Sequence, residues 1–477
     1  MHFGLLSCIG LGFDPELRID TLDPPVGLEP DEAYSNIGII GVSWTGDAHL
    51  WFTHSLDSGM TWGETAIVNS SEGAVAADAG MATDDAGRFF CVWEDNRGPE
   101  SCASYFAMSP DGGGTWIDEI RISASGATST DPDIAAAANG TRLVSVFNHL
   151  SERRIYCAYS TDLGSTWVGD IAVGDGLTTG MAYGSTVCWV GGNSFVAVWN
   201  EYRAPNPTSL YCSISQDGGV TWSTPNTPIP SGNHGILPGG AIKLSWDGSR
   251  LHLSWVEQYW TVGKAEVNEV YYQHSDNGGA SWLPAAIRVD QGGSEHIRRW
   301  GGVWARSPEE VAICWMEYDA VSDSSHALCS RSLDGGSVWE QPIIANPITN
   351  DAFRCDVSGD AQSGYIYMTW ANFGDHQVWF ARGHEMTGIE GESSLPSSEI
   401  LSACPNPCSS MVSISWSGET AEPIKVSDIS GRTIAELETS LGSESTSWDA
   451  SEAPSGIYLI HFENDPTTTA ARVVVIH

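Results

Sequence analysis

Four glutamates stand one or two places after a tryptophan: Glu94 in WEDNR (93–97), Glu201 in WNEYR (199–203), Glu257 in WVEQY (255–259) and Glu317 in WMEYD (315–319). A pair of carboxylates at the right separation cleaves a glycosidic bond, one acting as acid and the other as base or nucleophile. Each cluster adds partners for a polar ligand: Asp95 and Arg97 in the first, Arg203 in the second, Tyr259 in the third and Tyr318 in the fourth. Arg298, Arg299 and Arg354 supply further guanidinium forks, which grip carboxylates through paired hydrogen bonds. Aromatic faces among these charges, Tyr202, Trp260 and Trp300 included, suit sugar stacking. The plainer alternative is that a carboxylate after a strand-ending tryptophan is a solvated loop start.

The clusters recur because the elements before them recur. Trp44, Trp93, Phe147, Trp199, Trp255, Trp315 and Trp370 each end an alternating strand, at intervals of 49 to 60 residues. A second alternating strand follows, such as HLWFTHS or RIYCAYS. In six of the seven units an eight-residue box comes next: SLDSGMTW (55–62), SPDGGGTW (109–116), STDLGSTW (160–167), SQDGGVTW (215–222), SDNGGASW (275–282) and SLDGGSVW (332–339). Four short antiparallel strands per unit with Gly-rich turns predict an all-β fold, a seven-bladed β-propeller over residues 14–383. Six blades are the alternative, because the seventh unit lacks a box and an outer strand. DPELRID (14–20) resembles the outer strands DEIRIS (118–123) and AAIRVD (285–290), so the N-terminus is expected to close the ring and remove its free edges. Antiparallel order places the boxes on one face of the disc and the post-tryptophan clusters on the other. Inter-blade residues Asp131, Asp133, His234, His296 and Asp356 join the clusters there.

Within a box, glycine takes positive φ, Ser and Asp side chains bond the turn backbone, and the tryptophan packs into the blade. Six copies of one pattern speak for architecture. The pattern resembles the Asp box, or BNR repeat, of sialidases, with Asn277 in place of Asp and Val338 in place of Thr. That resemblance implies a propeller. For an activity it implies three arginines on a substrate carboxylate, a tyrosine nucleophile activated by a glutamate, and an aspartic acid as proton donor. Arg298, Arg299 and Arg354 are the candidates for the clamp, and Tyr259 and Tyr318 each have a nearby glutamate. Neither tyrosine stands in a family motif, and Leu17-Arg18-Ile19-Asp20 only shadows the family's opening Phe-Arg-Ile-Pro. Folds host many functions. The expected function is therefore binding of a glycan or glycoprotein through the rim, with sialidase-like exo-glycoside hydrolysis as the alternative.

Sixty acidic residues against 21 Lys and Arg give a formal net charge of −39, a field that disfavours nucleic acid and anionic membrane as partners. The eleven cysteines have no metal-type spacing. No metal or cofactor is expected, and a metal at Asp131-Pro-Asp133 is left open. Cys314 with Cys329, and Cys404 with Cys408, are candidate cross-links, free buried thiols being the alternative. Residues 1–13 read as the remnant of a signal peptide, with Leu5-Leu6-Ser7-Cys8 a faint lipoprotein box. No run approaches the length of a membrane-spanning helix.

Residues 384–400, HEMTGIEGESSLPSSEI, read as a linker. Residues 401–477 read as a small immunoglobulin-like β-sandwich of alternating strands. Pro405-Asn406-Pro407, IKVSDISGRTIAEL (424–437), SGIYLIHF (455–462) and the closing ARVVVIH together resemble the C-terminal sorting domain of the type IX secretion system. The resemblance implies the outer-membrane secretion machinery as a partner and a secreted or cell-surface location.

Overall fold

The structure, a computed structural model, describes most of residues 10–386 and parts of 402–475. Residues 1–9, 387–401, 476–477 and several loop segments, among them 71–74, 176–180, 204–207, 233–234, 237–241, 261–265 and 292–295, lie outside the described residues. The Leu5–Cys8 run, His234, most of the 384–400 linker and Pro405–Cys408 fall there. The chain divides into two compact units, Met1–Gly388 and Ile389–His477.

In the first unit the strands form seven sheets of four or five. The blade of residues 129–172 shows the plan: inner strand Ser129–Ala136, then Leu143–His149, Arg154–Ser160 and outer strand Val168–Ala172, each antiparallel to the next. Its second strand is buried along its whole length, as is Phe89–Asp95 in the blade before it, because neighbouring blades pack on both of its faces. Trp44, Trp93, Phe147, Trp199, Trp255, Trp315 and Trp370 are accordingly no more than 1% exposed.

The seventh blade, Phe353–Gly359, Ile366–Ala371 and Val378–Met386, takes its outer edge from the N-terminus, where Gly10–Phe13 and Leu17–Arg18 both pair with Val378–Met386. The closing segment therefore begins at Gly10, inside the stretch read as a leader remnant and ahead of the expected boundary at 14. Asp20 accepts the backbone N–H of Val378 at 2.8 Å, as Asn69 does from Leu50, Asp290 from Val270 and Asn346 from Ala327 in other blades. The N-terminal segment thus carries the outer-strand latch of a seventh blade, and the six-bladed alternative is discarded.

Each box is a closed hydrogen-bonded turn. Ser55 donates to Asp57 and accepts from the N–H of Gly59, while Asp57 accepts from the N–H of Thr61. The pattern repeats at Ser109, Ser160, Ser215, Ser275 and Ser332. Asn277 keeps it by accepting from the N–H of Ser281 and donating to that residue's hydroxyl. Register puts box and inner-strand start at opposite ends of a blade: Ser160 pairs with Leu143, which pairs with Ala136, whereas Ser129 pairs with His149. At the axis, Asp31, Asp133 and Asp356 each accept a backbone N–H from the next blade, that of Met81, Val187 and Glu32 respectively. Cys314 and Cys329 face each other in register, but both are free thiols, so the expected cross-link is not formed.

The second unit contains two sheets, one of Ser402–Cys404, Met411–Ser415 and Ser445–Asp449, the other of Ile424–Asp428, Thr433–Leu437, Gly456–Phe462 and Ala471–Val475. Residues from both, including Val412, Trp448, Val426 and Ile460, share one core.

Candidate ligand site at the propeller axis

The inner strands are interrupted near their starts. Register shifts fall between Leu28 and Asp31, Thr130 and Asp133, Tyr183 and Thr186, and Phe353 and Cys355, with two more in Val75–Thr83. A bulge bends the strand and re-aims a side chain. At these breaks, and at the gap between the inner segments His296–Arg299 and Val303–Ala305, the backbone turns left-handed: Glu29 (φ 53°), Asp78 (36°), Asp131 (49°), Gly184 (61°), Trp300 (33°) and Arg354 (49°). All six line one cup of about 190 Å³ at the axis. Glycine suits such a φ, and among the described residues of the cup only Gly184, in the fourth blade, supplies it. A non-glycine residue held there costs on the order of 1–3 kcal/mol and persists where the surrounding structure enforces it.

The cup is rich in carboxylates. Arg354 bridges Glu29 at 2.8 Å and Asp78 at 3.0 Å, and Lys243 contacts Asp31 at 2.6 Å and Asp356 at 3.5 Å. Glu94 accepts the backbone N–H of Asp131 at 2.6 Å, and Asn148 donates to the Asp131 carboxylate. Burial, with the Asp78 charge adding to it, pushes Glu94 and Asp131 up to about 7. Burial raises Asp356 to about 7 as well, against the opposing pull of Lys243. Asp78, Glu94 and Asp131 each offer an oxygen within 4.8 Å of the others, and among the described residues this trio is the set that could hold a metal ion.

Beside the cup lies a trough of about 440 Å³ between the sixth and seventh blades, walled by Trp300, Tyr318, Phe353, Phe373, Arg299 and Asp351 among others.

Of the residues singled out from the sequence, Asp131, Asp133, Trp300, Arg354 and Asp356 line the cup, Glu94 touches it through Asp131, and Arg299 and Tyr318 line the trough. The other post-tryptophan acids act as struts. Asp95 accepts the indole N–H of Trp93 at 3.1 Å and pairs with Arg97, whose guanidinium lies over Tyr105. Glu201 does the same for Trp199 at 2.9 Å and pairs with Arg203, stacked 3.8 Å over Tyr211. Glu257, fully buried, accepts from Trp255 at 3.1 Å. Tyr259 donates to Glu269 at 3.4 Å. Arg298, a candidate for the clamp, is instead fully buried, bonded to Glu317 at 2.8 Å and Asp290 at 3.2 Å. Glu29, Asp78 and Lys243 were not singled out. The signal for the acids was a charged residue just ahead of the inner-strand alternation in LEPDEAY, VAADAG and STDPDIA.

Residues 402–476 match the family model of the secretion system C-terminal sorting domain. The protein is therefore secreted or displayed at the cell surface, and the secretion machinery is a partner. Among the described residues no helix is long and apolar enough to cross a membrane. None of the curated proteins matches the chain. Among solved structures, an ulvan lyase titled as a new family of polysaccharide lyase is 14% identical, with a TM-score of 0.52 over 77% of this chain and 94% of its own. An ulvan lyase "bound to -[GlcA(1-4)Rha3S]-" gives 12% identity and 0.50 over 77% and 95%. The α-L-arabinofuranosidase of Fusarium graminearum with an iminosugar inhibitor gives 12% and 0.45 over 80% and 99%. Identity at this level defines the propeller fold and nothing finer. The class is thus a secreted or surface seven-bladed propeller with a sorting tail.

Proposed function

We propose that the protein is a carbohydrate-binding propeller whose ligand seats in the axial cup, on the face opposite the boxes. The observation that carries this reading is the set of five non-glycine side chains held in left-handed bulges around one cavity. Architecture alone would be served by glycine, as at Gly184. Carboxylates and cations there accept and donate hydrogen bonds to sugar hydroxyls, and Trp300 offers a face for a ring. The excess of carboxylate favours neutral or amino sugars over sulfated and uronic acid polymers, because the local field repels anions. We assign Glu94 and Arg354 to the cup, and Arg299 and Tyr318 to its margin. We read residues 14–383 as an Asp-box propeller, extended at its start to Gly10 and at its end to Met386, whose strand pairs with Gly10–Phe13, the remainder of 384–400 as a linker, and 401–477 as an immunoglobulin-like sorting tail.

Hydrolysis is the second reading, favoured by Glu94 and Asp131 being held near 7, where one of them keeps a proton for a leaving group at neutral pH. The sialidase form of it has less support, since Arg298 is buried and Arg299 and Arg354 are engaged with Glu266, Glu29 and Asp78. A glycan array followed by titration of the best neutral hit tests the proposal. Asp131→Asn and Asp78→Asn should each weaken binding about tenfold to a hundredfold, the worth of one charge-assisted hydrogen bond. Binding that both variants leave intact would remove the ligand from the cup. Release of reducing ends by the wild type, abolished in Glu94→Gln, would establish the hydrolase.

A further inference from the structure

We infer that the trough between the sixth and seventh blades is a second saccharide subsite continuous with the cup, so that the ligand is an internal stretch of a glycan chain and not a lone terminal sugar. The inference rests on the carbohydrate reading above. Trp300 walls both cavities. Its indole is flanked by Arg354 at 5.3 Å and Arg299 at 5.7 Å, cation–π distances that steady the ring. Phe353 packs edge-on against Trp300 at 4.6 Å, and Phe373 against Phe353 at 5.4 Å. Three rings therefore run outward from the cup, and the outermost, Phe373, is 65% exposed. With Trp300 and Phe353 it forms a contiguous aromatic wall of the trough, and it is such a patch, unlike a singly exposed ring, that marks a ligand groove.

The polar groups of the trough complete the match to a sugar. Tyr318 donates to Asp323 at 2.8 Å, and Asp351 accepts the N–H of Gly374 at 2.9 Å. Each carboxylate has further lone pairs, so both can accept hydroxyls while the rings take the C–H face of a pyranose. At about 440 Å³ the trough lies within the size range of small-ligand sites.

The test uses the full chain and neutral gluco-, xylo- and manno-oligosaccharides, with chito-oligosaccharides, from mono- to hexasaccharide. Affinity should climb with length in the series that binds. Phe373→Ala should lower the affinity for the longer members by about threefold to tenfold, the worth of one aromatic contact, and leave mono- and disaccharides unaffected. Because Phe373 is exposed, the variant should keep the wild-type melting temperature; Phe373→Trp should restore the length dependence. Short sugars that bind and are lost in Asp131→Asn, with no gain from length, would overturn the trough alone. Absence of binding at every length would overturn both readings.

Discussion

Asp131 shows how a single residue ties strain to site. Its φ of 49° would suit glycine, yet its carboxylate meets Asn148 and stands beside Glu94 and Asp78. Asp131→Gly and Asp131→Ala both delete the carboxylate, so both should weaken ligand binding. They should part in stability: alanine keeps the Cβ that a left-handed backbone crowds, and the glycine variant should be the more stable by about 1 kcal/mol in urea unfolding. Equal stabilities would show that the bulge relaxes and would withdraw strain as an argument for function. The sequence named the acids but not their roles. Asp95, Glu201 and Glu257 follow Trp93, Trp199 and Trp255 by two places, and strand alternation puts residues two apart on one face. The indole N–H contacts were therefore legible, and the tryptophan misled only because it was taken as the strand's end. Glu29 and Asp78 were legible only as acids ahead of the inner-strand alternation; their place in the cup was not, because a bulge is a register event between two strands and no residue type spells it.

At the scale of the element, the boxes were read correctly as turns, and the structure adds what they press against. The fifth residue of each box is a glycine at positive φ facing the preceding blade. A Cβ on Gly113 would lie 2.1 Å from the Phe52 ring, one on Gly164 2.2 Å from Phe106, and one on Gly336 2.1 Å from Tyr272. The box is thus a spacer between blades as well as a turn within one. Gly113→Ala combines a left-handed alanine with overpacking and should cost roughly 2–5 kcal/mol. Its neighbour serves as the control: Gly114 has no positive φ, and a Cβ there meets only the Asp111 side chain, at 3.2 Å. Gly114→Ala should stay within about 1 kcal/mol of wild type. Chemical denaturation of the pair distinguishes a packing role from a generic intolerance of the turn. Sequence alone yields the turn, since its hydrogen bonds are local, and misses the spacer, since Phe52 is more than fifty residues away along the chain.

The whole molecule gathers acid at its axis and closes the ring around it. Glu16 accepts the backbone N–H groups of Ile348 and Thr349, and Asp20 that of Val378, so the N-terminal segment is fixed to blades six and seven by carboxylates. The axial acids behave differently from these. Burial raises Glu94, Asp131 and Asp356 to about 7 and Glu32 to about 8, whereas in the unfolded chain such groups titrate near 4. Between roughly pH 4.5 and 8 these groups hold protons in the folded protein that the unfolded chain has released, and their contribution to stability falls as pH rises through that window. Below pH 6.5 it outweighs the opposite contribution of His54, His252 and His274, whose burial holds them below the ordinary histidine value. The box aspartates have the opposite sign. Hydrogen bonds from Thr115 and Thr166 hold Asp111 and Asp162 below their ordinary value, so their contribution is lost only under more acidic conditions. The propeller should accordingly melt highest near pH 4.5 to 5 and progressively lower toward pH 8. Glu94→Gln and Asp131→Asn should each flatten the decline, because each removes one group that is protonated only when folded. Melting curves of the wild type and the two variants across this range, at constant ionic strength, check the sign. A melting temperature that rises from pH 5 to pH 8 would mean that the axial carboxylates are ionised in the folded ring, compensated by a bound cation or by water.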